Sequence, residues 1–68
     1  MKELEAEREY LVQTYDCFKD CVWSDVCLGR SVDHTIKVCQ EMFPKFNRIV
    51  VFENDSKEAV RLIKNNNC

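Results

Sequence analysis

The chain has one glycine and one proline, and that scarcity limits what it can build. Tight turns, phosphate-cradling loops and catalytic loops draw heavily on these residues. A glycine-rich nucleotide loop is excluded. Long apolar runs are also missing. The longest is residues 49–52, far short of the roughly 20 residues that cross a bilayer. Clustered basic charge is missing too. Ten basic residues are scattered among twelve acidic ones, for a net charge of −2. Binding along a phosphate backbone needs a basic stripe, so nucleic acid is not an expected partner. The first residues are charged rather than apolar, which argues against a secretory signal. The expectation is a small acidic, cytoplasmic protein without a membrane segment.

Histidine is nearly absent as well. His34 is the only one, and no Ser–His–Asp set or paired carboxylates stand out. With 68 residues there is little room for a substrate pocket of several hundred Å3. The expectation is a protein that is not an enzyme, with no catalytic residues.

Cysteine is abundant by contrast, with five in the chain. The odd number leaves one thiol over in any full disulfide framework. Without a secretory signal, stable disulfides are not expected. Cys17, Cys21, His34 and Cys39 follow C-x3-C-x12-H-x4-C, within the spacing range of zinc sites. Two features oppose that reading. Cys17 and Cys21 fall inside a helical pattern rather than on a knuckle. His34 and Cys39 are five apart on an expected helix, about 140° away from sharing a face. Small buried hydrophobes are the usual role of free cysteine. No cofactor is expected, with zinc as the alternative. A thiol-based redox sensor is a second alternative. It is disfavoured because Asp16 and Asp20 flank the thiols and oppose thiolate formation.

Periodicity supplies the elements. Residues 3–23 predict a long helix, with Leu4, Leu11, Tyr15, Phe18 and Val22 on one stripe and Glu9, Gln13, Asp16 and Asp20 opposite. Gly29 stands where a C-terminal cap belongs. Residues 32–43 predict a second helix, with Val32, Ile36, Cys39 and Phe43 on one stripe, Ser31 as N-cap and Pro44 as the stop. Arg48–Glu53 predicts a strand rich in β-branched residues. Residues 56–64 predict a third helix behind a capping pattern of Asp55 and Glu58. Residues 65–68 are expected to fray.

The strand is apolar on both faces. Ile49 and Val51 point one way, and Val50 and Phe52 the other, as in an internal strand. A lone buried strand leaves donors and acceptors unpaired at about 1–3 kcal/mol each. Its mate is its own copy across a two-fold axis, an edge of another protein, or a weak strand elsewhere in the chain. The first is favoured, because small cores lean on oligomerisation.

The expected fold is therefore α+β and mostly helical, a single domain over residues 1–68. Its order is α-α-β-α, with a homodimer formed through Ile49, Val50, Val51 and Phe52. The expected function is a regulatory protein–protein interaction module of inhibitor or adaptor type, of a kind found in phages and viruses. Tyr10, Trp23, Val26 and Leu28 form the expected partner-binding patch, since Trp and Tyr are favoured at interfaces.

Overall fold

A computed structural model describes residues 4–65. The order is β1 (Glu9–Tyr15), β2 (Cys21–Leu28), a 3-10 turn (Gly29–Ser31), α1 (Val32–Met42), β3 (Arg48–Glu53) and β4 (Ala59–Lys64). The strands form one antiparallel sheet in the order β2-β1-β3-β4. Since β2 and β3 both run opposite to β1, the connection through α1 crosses over β1 and covers one face of the sheet. The result is two layers, a sheet and one helix.

The mostly helical expectation is thus overturned, and so is the homodimer built on an unpaired strand. Where the sequence predicts the long helix, residues 9–28 form a hairpin, and residues 56–64 hold a turn and β4. The part of the first prediction that falls on residue 3, and the fraying of residues 66–68, lie outside the described residues. Asn65 is tied down, its N–H donating to the Asn47 carbonyl at 2.9 Å.

The reason lies in residue chemistry and in hidden turns. In β1, Tyr10, Val12 and Thr14 are buried and alternate with half-buried Leu11, Gln13 and Tyr15. This two-residue period suits the β-branched and aromatic residues present. Leu4, Leu11, Tyr15 and Phe18 fit a helical stripe only because separations of seven and four are common to many patterns. Phe18 is 85% exposed at the tip of the β1–β2 turn. That turn closes without glycine. The Asp16 carboxylate accepts from the N–H groups of Phe18 and Asp20, both at 2.9 Å. Lys19 takes the left-handed conformation at φ 65°. In the β3–β4 turn Lys57 does the same at φ 60°. Its N–H donates to the Glu53 carbonyl at 2.7 Å, and the Asp55–Glu58 capping pattern caps no helix.

The second helix and the strand lie where the sequence places them. In α1, Val32, Ile36 and Cys39 are buried. Ser31 occupies the N-cap position without a side-chain capping bond. Gly29 caps no helix; it allows a close backbone approach. A Cβ there would stand 1.9 Å from the Glu5 carbonyl oxygen, so any side chain forces the N-terminal segment away.

Tyr10, Val12, Val32, Ile36, Cys39, Phe46, Ile49 and Val51 form the core between α1 and the sheet. Trp23, Cys27, Val60 and Ile63 pack around it. Arg61 of β4 is ion-paired to Asp33 in the first turn of α1, which fixes the helix to the far strand. Glu53 is 4% exposed. Its carboxylate accepts from the Ser56 hydroxyl at 3.1 Å and pairs with Arg8 at 3.5 Å. The Arg8 guanidinium is pushed above its ordinary range, first by its hydrogen bond to Glu5 and then by the Glu53 charge.

The uncovered face of the sheet

One helix covers one face, and the other face has no layer over it among the described residues. Its composition follows from strand register. Side chains alternate across a strand, so the residues opposite to Tyr10, Val12 and Thr14 are Glu9, Leu11, Gln13 and Tyr15. Cross-strand pairing then lays out rows. Glu9 stands beside Leu28. Leu11 lies between Val26 and Phe52, with Ala59 beyond Phe52. Gln13 lies between Ser24 and Val50, with Leu62 beyond Val50. Tyr15 lies beside Arg48, with Lys64 beyond it.

The row of Val26, Leu11, Phe52 and Ala59 is apolar, the next row sets polar Ser24 and Gln13 beside apolar Val50 and Leu62, and the two ends are charged. Val26 is 44% exposed and Leu62 is 51% exposed, on opposite edges of the sheet. Leu11 and Phe52 between them are half-buried. Exposed apolar strips rimmed by polar residues are a feature of interaction sites. At one end, the Arg48 guanidinium lies over the Tyr15 ring at 4.9 Å from its centroid, a cation–π contact. The Tyr15 hydroxyl donates to the Gln13 side-chain oxygen at 2.6 Å. Arg48 Nε is buried without a hydrogen-bond partner. Among the described residues, Glu9, Arg48 and Lys64 form no ion pair within the chain.

This register redistributes the residues expected to act. Ile49 and Val51 face α1 and are fully buried, while Val50 and Phe52 face the open side. The strand that holds them is internal, hydrogen-bonded to β1 and β4, so it has no free edge to pair with a second copy. The expected patch divides between the two faces. Tyr10 is 2% exposed inside the core, its hydroxyl accepting from the Glu5 N–H at 3.1 Å. Trp23 packs against the same core. Val26 and half-buried Leu28 belong to the open face. Sequence reasoning missed Glu9, Leu11, Arg48 and Leu62. A two-residue period read across residues 9–15 carries that signal.

The expected zinc ligands Cys17, Cys21, His34 and Cys39 form no cluster among the described residues. Cys17 is disulfide-bonded, against the expectation of free thiols. Cys21 is exposed at the start of β2, its Sγ 3.3 Å from the Trp23 carbonyl oxygen. Cys39 is fully enclosed in the core, and His34 is exposed on α1. No three His, Cys, Asp or Glu side chains are grouped to hold a metal among the described residues. No helix is long and apolar enough to cross a membrane among those residues. A shallow apolar groove of about 310 Å3 lies between the β1–β2 turn and the segment after α1. Asp16, Val22, Phe43, Pro44, Lys45 and Phe46 line it, a larger cavity than the chain length suggested. No protein-family model, no curated protein and no solved structure matches this chain.

Proposed function

We propose that this chain is a non-enzymatic protein–protein interaction module, of regulatory inhibitor or adaptor type, that docks through the open face of its sheet. The observation that carries this reading is the apolar strip from Val26 through Leu11 and Phe52 to Leu62, which no part of the described chain covers. A sheet face with apolar centre and charged ends resembles the core-and-rim layout of protein interfaces. The placement of Cys39 in the core and His34 in solvent supports a non-catalytic role, since a Cys–His pair must share a hydrogen bond. A cytoplasmic location belongs to the same reading. The observation against it is the disulfide at Cys17, because such bonds persist mainly in oxidising compartments.

The test uses immobilised wild type beside Leu62→Lys, an exposed substitution that leaves the core intact. Proteins retained by the wild type and lost by the variant, with cross-links mapping to β2, β1 and β4, support the reading. Identical retention by both, or cross-links confined to α1, overturns it.

A further inference from the structure

The charge pattern of the open face is self-complementary, and we infer that a second copy of this chain docks there, sheet against sheet with strands antiparallel. The inference rests on the docking role of that face and names its partner. It differs from pairing through a strand edge: no ladder is extended, and both sheets stay whole.

Glu9 stands at one end of the face, and Arg48 and Lys64 at the other. Six residue steps along β1 separate the rows of Glu9 and Tyr15, about 20 Å at 3.4 Å per step. A two-fold axis parallel to the plane of the sheet and perpendicular to the strands reverses strand direction between copies. It brings the Glu9 end of one protomer over the Arg48 and Lys64 end of the other, twice by symmetry. The alternative axis, along the strands, stacks like on like and is opposed by repulsion. The same antiparallel operation places the Leu11–Phe52 row over the Gln13–Val50 row. Phe52 then faces Val50, and Ala59 faces Leu62. Arg48 is prepared for an incoming carboxylate. Its guanidinium carbon lies over the Tyr15 ring, and it has no acidic partner of its own among the described residues.

The size of the face sets the strength. Four strands about 4.8 Å apart and four rows give roughly 15 Å by 20 Å between outer Cα positions. Even with side-chain relief, this falls below the ~800 Å2 that each partner buries in a standard stable interface. The expected association is therefore in the micromolar range, reversible, and weakened by salt.

The experiment is sedimentation velocity of the full chain from about 1 to 300 µM, bracketing that expected range. Wild type, Glu9→Lys, Arg48→Glu and an equimolar mixture of the two variants are compared. The wild type is expected to move from the 8.1 kDa chain mass toward twice that value. Each variant alone is expected to associate at least about tenfold more weakly, since two attractive contacts become repulsive. The mixture is expected to recover association. There the lysine introduced in one variant meets the glutamate introduced in the other, and the unaltered Glu9 and Arg48 of the two copies still pair. If Arg48→Glu loses its fold by circular dichroism, Lys64→Glu takes its place in the mixture. A Cys21→Ser background excludes a dimer linked by that exposed thiol.

A wild type that stays monomeric throughout overturns the inference, as does a dimer indifferent to charge reversal or one that vanishes with Cys21→Ser. A monomer that still loses its captured targets on Leu62→Lys leaves the docking role standing and removes only the second copy. A charge-dependent dimer with no other captured protein identifies self-association as the whole use of the face.

Discussion

The two faces of β3 carry nearly the same chemistry and meet different fates. Ile49 and Val51 are fully buried beneath α1. Val50 and Phe52, one residue away along the same chain, lie on the side without a helix. Val50 is still only 9% exposed, shielded by the strands on either side, and Phe52 is half-buried. An apolar residue on a central strand is thus largely removed from water before any second layer arrives. What the second layer adds is the last part of burial and a unique packing arrangement. The helix supplies it on one face. On the other, no part of the described chain supplies it.

Substitutions can sharpen that contrast, and the largest effect belongs to the covered side. Ile49→Ala is expected to lower unfolding stability by about 3 kcal/mol, as deletion in a closed core does. Urea denaturation measures it. A loss below about 1 kcal/mol means that the helix is loosely packed and the two faces are alike. Phe52→Ala on the open side is expected to cost about 1–2 kcal/mol in the monomer, less than a fully buried Phe. In addition it is expected to weaken self-association. A cost equal to that of Ile49→Ala shows that the open face is covered even in the monomer.

Two smaller effects follow. Lys57→Gly is expected to raise stability by about 0.5–1 kcal/mol, because glycine takes positive φ without steric cost. A thermal scan checks it, and a fall in Tm argues for a different turn. Leu62→Lys is expected to change monomer stability by less than about 0.5 kcal/mol while reducing docking. Large destabilisation makes Leu62 structural rather than a contact residue.

Legibility in the sequence is uneven, and the causes are physical. α1 is readable because Val32, Ile36, Cys39 and Phe43 repeat at helical spacing and Pro44 ends the run. β3 is readable because residues 49–52 are β-branched or aromatic. The β1–β2 hairpin is hidden by its turn. Asp16 and Lys19 take the role usually given to Asn-Gly or Asp-Gly, so no glycine marks the reversal. β4 is hidden by length, since six residues fit a helical turn and a half as readily as a strand. The open face is half readable: residues 49–52 are apolar on both sides. Its rows take in β1, β2 and β4 as well as β3, and the spacing of β1 and β4 also fits helices.

Local composition and periodicity alone specify that residues 49–52 are an internal strand and that residues 32–42 are an amphipathic helix. Both signals act over a few residues and need no distant contact. The in-chain mates of that strand are present in the same sequence but unmarked, because edge and flanking strands draw their stability from partners rather than from their own composition. That β1 and β4 pair with β3 on its two sides, and that α1 covers one face alone, is settled only in the folded molecule. The β1–β3 pairing joins residues 33 (Tyr15 and Arg48) to 43 (Tyr10 and Glu53) apart in the chain, a separation that no local pattern encodes.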